Sequence, residues 1–182
     1  MQLIKGTDQT KSYIGLSEGK GWVSQKIMKV TSGNYSHTFA IINGIVYQTH
    51  FGEGAHCLPL EEYEAGEALR QKKITLFEVS SLNEGLAKYF AAANLPYDKF
   101  DIAKHYKKHR FDFNWDAVFS HENNQKLICT ELVDWLSGRK ISYALKLDYS
   151  GMITPQAMFE ACQGLMGVKL ADSFILNRLD FF

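Results

Sequence analysis

The sequence has few cysteines, no excess of either charge and no long apolar run. Its three cysteines among 182 residues are an odd number at unrelated spacings, which argues against a disulfide framework and favours reduced thiols. Lys plus Arg and Asp plus Glu number 20 each, so we expect no nucleic-acid or anionic-membrane partner. No stretch is apolar for long enough to form a signal peptide or a membrane span, which predicts a soluble, cytoplasmic protein.

The sequence does contain enough apolar residues for one hydrophobic core. It is 46% hydrophobic and 13% aromatic, and its length suits one substantial core better than two. Internal repeats, low-complexity tracts and linkers are absent from the sequence. We therefore predict a single domain over residues 1–182, of the α+β class with an antiparallel sheet.

The most informative stretch begins at residue 35 and reads YSHTFAIINGIVYQTH. Asn43-Gly44 is the dipeptide that most easily adopts the positive φ angles of a type I′ turn, and β-rich runs flank it. Pairing outward from this turn puts His37, Gln48 and His50 on one face, with Gln48 diagonal to His37 and His50 directly opposite. A histidine held by a neighbouring amide or imidazole is a catalytic arrangement that still needs a nucleophile.

The candidate nucleophile is Cys129, in LICTELVDWLSG. The apolar residues after it recur at helical spacing, so Cys129 falls in the first turn of a helix. The N–H groups at a helix start, here those of Cys129 and Thr130, stabilise a thiolate and can receive an oxyanion. The sequence equally allows a core role for Cys129 beside Ile128 and Leu132, because cysteine is among the most buried residue types.

Other elements follow from shorter signals. We predict two strands, Tyr13–Leu16 and Lys73–Val79. We predict three helices: one from Trp22, one over LEEYE after Pro59, and one over Leu82–Asn94. FGEGAHC is predicted to be a glycine-bearing loop. Thr154-Pro155 is a good start for a further helix, with threonine as cap and proline in the first turn. The aromatic and basic segment 97–115 has no strict periodicity, so it supports no prediction.

The remaining cysteines and histidines carry no predicted site. Cys57 and Cys162 lack a helix-start position and are interpreted as structural or incidental. His50, His56 and Cys57 could be imagined as zinc ligands, but a clear fourth ligand is missing and the spacing matches no familiar motif. Two histidines at i, i+4 within 104–110 stand among basic residues, which indicates a solvated face. We predict no metal and no cofactor.

Several short motifs together resemble a known family. Tyr35-Ser36-His37, Tyr97-Asp98, Cys129-Thr130-Glu131-Leu132-Val133 and Ile153-Thr154-Pro155 look like the YiiX-like, circularly permuted papain-type cysteine amidases of the NlpC superfamily, which includes lecithin retinol acyltransferase. A histidine that precedes a cysteine in a later helix reverses the papain order, as a permutation of that fold would. The resemblance runs from about Gly19 to Phe159.

This resemblance implies a permuted papain-like (NlpC-type) fold, in which an antiparallel sheet packs against a helix that begins at the nucleophilic cysteine. It implies an amidase- or peptidase-like hydrolase, with Cys129 as nucleophile, His37 as base and Gln48 as the residue that orients the imidazole. Relatives usually carry glutamate or histidine where this chain has Gln48, and His50 is the alternative orienter. Glu131 would complement the helix dipole and orient the preceding loop.

Two other functions stay open at this point. One is a catalytically silent binding module of the same fold, which rapid modification of one thiol would argue against. The other is a lipid acyltransferase related to lecithin retinol acyltransferase, which predicts an apolar mouth to the cleft. The expected substrate is a small-molecule, peptide or lipid-like acyl compound, and the sequence leaves its identity and the oligomeric state open.

Overall fold

A computed structural model of the chain describes residues 7–50, 53–69, 73–96, 128–147, 153–165 and 168–175. Within them lie six strands and six helices: β1 (Ser12–Glu18), α1 (Trp22–Thr31), β2 (His37–Ile42), β3 (Ile45–His50), β4 (Gly54–Pro59), α2 (Leu60–Leu69), β5 (Lys73–Val79), α3 (Glu84–Ala93), α4 (Cys129–Leu136), α5 (Lys140–Ala144), α6 (Pro155–Gly164) and β6 (Lys169–Ile175). In this part of the chain, no helix combines the length and the apolar composition that a membrane crossing requires.

The fold is α+β, and its six strands form one antiparallel sheet in the order β4-β3-β2-β1-β5-β6. Asn43 and Gly44 have φ angles of 51° and 73°, and Ile42 pairs with Ile45 across the turn. The predicted hairpin turn and the register next to it are therefore confirmed. β3 and β4 form a second antiparallel pair, so β2, β3 and β4 follow one another as a meander.

The centre of the sheet depends on one glycine. Gly15 in β1 lies opposite Phe39 in β2, and a Cβ atom at position 15 would sit 2.2 Å from the Phe39 ring. A strand glycine often marks such a close approach. The absence of a side chain at Gly15 lets the ring lie directly over β1.

Alternation along the strands divides the core into two faces of the sheet. The first, which we call the α4 face, is covered by α3, α4 and α6, and its sheet residues are Ile14, Leu16, Ala40, Ile42, Tyr47, Phe77 and Val79. The second, the α2 face, packs against Leu60 and Tyr63 of α2, and its other buried residues are Tyr13, Phe39, Ile41, Val46, Ile74 and Leu76. Both faces are thus largely buried, which explains the nearly continuous apolar character of β2.

One prediction was wrong and several were confirmed. FGEGAHC was predicted to be a loop, but its part from Gly54 onward belongs to β4. The predicted strands coincide with β1 and β5, the predicted helices with α1, α2 and α3, although α2 extends beyond LEEYE to Leu69. Thr154 caps α6 by accepting a hydrogen bond from the Ala157 N–H at 3.1 Å. The segment 97–115, with Tyr97-Asp98, lies outside the described residues.

Candidate active site

Hydrogen bonds hold the segment that leads into β2. The Ser36 hydroxyl oxygen accepts from the Gly19 N–H at 3.1 Å, which ties this segment to the end of β1. The Gln156 side-chain oxygen in α6 accepts from the Asn34 N–H at 3.0 Å. These contacts fix the backbone just before His37, and thereby the direction in which its imidazole leaves the strand.

His37 and Gln48 are in direct contact. His37 Nε2 lies 2.9 Å from Gln48 Oε1, and the two residues are 8% and 5% exposed. An amide oxygen only accepts, so the imidazole Nε2–H is the donor. In a neutral ring this leaves the lone pair, and with it the basicity, on Nδ1. The cross-strand contact predicted from the hairpin turn is present.

His50 meets His37 in a different way. The two ring centroids are 4.8 Å apart and the ring planes are 84° apart, which is an edge-to-face contact. On its other side the His37 ring stacks on Phe39, with centroids 6.3 Å apart and planes at 24°. A hydrogen bond fixes the rotation of an imidazole more sharply than ring packing does, so the geometry favours Gln48 over His50 as the orienter.

The chain of hydrogen bonds continues into β4. Gln48 Nε2 lies 3.1 Å from His56 Nε2, and His56 Nδ1 lies 2.9 Å from the Gly54 carbonyl oxygen. Glu53 Oε2 approaches His56 Nε2 at 3.6 Å. Sequence reasoning missed this link because it assigned residue 56 to a loop. The antiparallel register of β3 and β4, which pairs Gln48 with His56, is the signal that could have revealed it.

Cys129 is the first residue of α4 and is 5% exposed. The helix packs against β2 and β3. Burial raises the pKa of the Cys129 thiol, and this outweighs the neighbouring Thr38 and the backbone N–H groups of Thr130 and Cys129, which lower it. The helix start thus favours the thiolate in the predicted direction, but the neutral thiol is the resting form at neutral pH.

The thiol and the imidazole approach one end of β2 from two sides. His37 and Thr38 are consecutive in β2, so their side chains point to opposite faces of the sheet. Thr38 meets Cys129 on the α4 face, whereas His37 stacks on Phe39 on the α2 face. The β2–β3 ladder runs from Ile42 to Ala40, so both residues lie past its last pair. The structure therefore brings Cys129 to the residue next to His37.

Polar contacts set the position of α4. Glu131 Oε2 accepts from the Ile128 N–H at 3.1 Å, so this carboxylate orients the chain that enters the helix, as expected. Further along, the buried Asp134 carboxylate accepts from the Ser142 N–H at 2.9 Å and from its hydroxyl at 2.5 Å, and pairs with Arg139 Nε at 3.1 Å. These bonds hold α5 against the C-terminal end of α4.

The other two cysteines have different surroundings. Cys57 is exposed on β4, whereas Cys162 is buried in α6, where burial raises the pKa of its thiol to about 12. His56 and Cys57 are neighbours in a strand and so point to opposite faces, which separates two of the imagined zinc ligands. Over the described ranges, no three His, Cys, Asp or Glu side chains converge as metal ligands would.

Comparison of the sequence with models of known protein families finds no match, and comparison with curated proteins finds none either. The geometry of the site therefore provides the evidence for its chemistry. That geometry comprises a buried thiol at a helix start next to Thr38, an oriented imidazole on His37, which precedes Thr38 in β2, and an amide that links this imidazole to a second one.

Proposed function

We propose that the chain is a single cysteine hydrolase domain of the permuted papain-like (NlpC-type) class, amidase- or peptidase-like, acting at an amide or ester carbonyl. The observation that carries the proposal is the 2.9 Å bond between His37 Nε2 and Gln48, because it leaves the basic lone pair on Nδ1 of the residue that precedes Thr38, the neighbour of Cys129. The antiparallel sheet, packed against a helix that begins at Cys129, supports the same assignment.

In the proposed reaction His37 Nδ1 takes the thiol proton while Cys129 Sγ attacks the carbonyl carbon. The carbonyl electron pair moves to oxygen, and the N–H groups at the start of α4, those of Cys129 and Thr130, stabilise this oxyanion. Collapse breaks the bond to the leaving group, which takes the proton from His37, and leaves a thioester. A water molecule, deprotonated by His37, then attacks the thioester and regenerates the thiol.

The order of the proton transfer follows from the surroundings of the two groups. Burial raises the pKa of the Cys129 thiol, and Gln48 is a neutral amide that orients the imidazole without adding a charge to stabilise its protonated form. Proton transfer should therefore accompany attack on the carbonyl, rather than precede it as a stored thiolate–imidazolium pair. The reaction also requires the thiol to reach His37 Nδ1 around the end of β2.

Incubation with p-nitrophenyl acetate tests the proposal with a generic acyl donor. We expect a burst of p-nitrophenolate and an acetyl group on the peptide that contains Cys129, identified by mass spectrometry. The variants Cys129→Ser and His37→Ala should lose the burst while keeping the native circular-dichroism spectrum. Cys57→Ser removes the exposed thiol and should retain the burst. Acetylation confined to Cys57 would refute Cys129 as the nucleophile.

Burial of Cys129 also favours a second candidate, a catalytically silent binding module with the same fold. A thiol whose pKa is raised by burial is what a purely structural cysteine shows as well. For such a module, His37→Ala would alter the free energy of unfolding and leave the rate of acetylation at Cys129 unchanged. The two candidates thus differ in one measurable rate.

A further inference from the structure

Four residues of the β2–β3–β4 meander form one line of hydrogen bonds. His37 Nε2 lies 2.9 Å from Gln48 Oε1, Gln48 Nε2 lies 3.1 Å from His56 Nε2, and His56 Nδ1 lies 2.9 Å from the Gly54 carbonyl oxygen. At its Gly54 end the line meets a carbonyl oxygen, which can only accept a hydrogen bond. This oxygen determines which of the other atoms along the line donate and which accept.

A carbonyl oxygen has no hydrogen to give, so the hydrogen between Gly54 and His56 belongs to His56 Nδ1. In a neutral imidazole the other nitrogen, Nε2, is then an acceptor. Gln48 must present its NH2 group to that acceptor, which turns its oxygen toward His37. The His37 ring must in turn carry its hydrogen on Nε2, so that its lone pair resides on Nδ1.

The reversed amide does not satisfy the same partners. With Gln48 turned by 180°, its oxygen would face the lone pair of His56 Nε2, and its NH2 group would face His37 Nε2. His37 would then have to carry its hydrogen on Nδ1, the nitrogen that the proposed reaction needs as base. A carboxylate at position 48 would accept through either oxygen, but a glutamine has two unlike ends and needs a neighbour that selects between them.

We propose that His56 is a positioning residue that acts through Gln48 to fix the tautomer of His37. It touches neither the thiol nor the reacting carbonyl, and its effect is to keep the basic lone pair on Nδ1. The catalytic meaning of this arrangement rests on the proposed hydrolase function. The tautomer itself is a property of the resting protein, so the two can be tested separately.

The test is two-bond ¹H–¹⁵N correlation NMR on histidine-labelled full-length protein at about pH 8, where free histidine is neutral. In the wild type, His37 should carry its hydrogen on Nε2 and His56 on Nδ1. His56→Phe keeps a ring but removes the acceptor, and should move the His37 signals toward the averaged values of mixed tautomers. His56→Glu offers only acceptor oxygens to the Gln48 NH2 group and should restore the single tautomer.

His50→Phe is the matched control, because it removes an imidazole that packs on His37 at 4.8 Å and leaves the line from Gly54 intact. It should leave the His37 tautomer unchanged. In the p-nitrophenyl acetate assay, the acetylation rate of His56→Phe should fall by the fraction of molecules in which His37 carries its hydrogen on Nδ1.

Wild-type protein with the His37 hydrogen on Nδ1 would overturn the proposal, as would a pure Nε2–H tautomer in His56→Phe. If the tautomers are as stated but Cys129 is never acetylated, the hydrolase function fails while the role of His56 in fixing the His37 tautomer stands.

Discussion

Replacing Gln48 by glutamate would put a carboxylate between two imidazole rings. The side chain at this position is buried and lies 2.9 Å from His37 Nε2 and 3.1 Å from His56 Nε2. A carboxylate only accepts, so both of these nitrogens must carry hydrogen. His56 already donates through Nδ1 to Gly54, so it can satisfy the carboxylate only as an imidazolium. We therefore expect the variant to hold a proton that the wild type lacks.

The size of the effect follows from the contact distances. An opposite charge this close typically raises a histidine pKa by about 1 to 3 units above the unfolded value of about 6.5. A raised folded-state pKa stabilises the fold fully below the unfolded value, and this stabilisation is lost as the pH rises through the folded value. The free energy of unfolding of Gln48→Glu should thus fall by about 1.4 to 4 kcal/mol between roughly pH 6 and pH 9.

Urea denaturation at a series of pH values measures this slope, and an NMR titration of the histidines identifies the ring that gains the proton. Gln48→Met is the matched control, since it keeps the length of the side chain without charge or hydrogen bonds. The difference between the two variants should depend on pH as described. A flat difference over this range, with unmoved histidine titrations, would mean that position 48 does not lie between the two rings.

Two further predictions concern packing and burial, and urea denaturation measures both. Gly15→Ala would put a Cβ atom 2.2 Å from the Phe39 ring and should lower the free energy of unfolding by about 1 to 3 kcal/mol. The control is Gly66→Ala in α2, where the Cβ meets nothing within 4 Å. This substitution should raise the free energy of unfolding by about 0.4 to 1 kcal/mol. Burial raises the pKa of Cys162 from 9.0 to about 12, so the folded state favours the neutral thiol, and the free energy of unfolding should fall by up to about 1.4 kcal/mol per pH unit above about pH 9.

Cys162→Ala should reduce this alkaline slope and leave the part that the buried Cys129 thiol contributes, whereas Cys57→Ala, at an exposed thiol, should leave the slope as it is. If only Cys57→Ala changed the slope, the ionising thiol would be Cys57 in β4 and not Cys162 in α6. Equal effects of the two glycine substitutions would mean that β1 can move away from the Phe39 ring without cost.

The hairpin and the helix starts could be predicted because their signals are local. Asn43-Gly44 favours positive φ at two adjacent residues, and this alone sets the pairing next to the turn. Thr154 caps α6 by accepting a hydrogen bond from the N–H three residues later, and the apolar spacing after Cys129 indicates where α4 begins. Each of these features depends on a few neighbouring side chains, which a sequence displays directly.

Three features depended on the rest of the fold. Gly54 does adopt a φ of 78°, as a turn glycine would, but the side chains of β4 from His56 onward are partly or fully exposed at the sheet edge, so they lack an apolar alternation. The pairing of β1 with β5 joins distant parts of the chain. Burial of Cys129 results from packing on β2, so the direction of its pKa shift could not be inferred from its helix-start position.

The two halves of the candidate site differ in how the chain assembles them. His37 and Gln48 are 11 residues apart, Gln48 and His56 are 8 apart, and tight antiparallel connections close both intervals. Short loops close quickly and at low entropic cost, whereas the docking of Cys129 on β2 must close a much longer loop. The meander can thus organise its imidazoles early in folding, before the longer loop to Cys129 closes. The thiol then docks on a partner strand that is already paired, and this docking is the step that removes it from solvent.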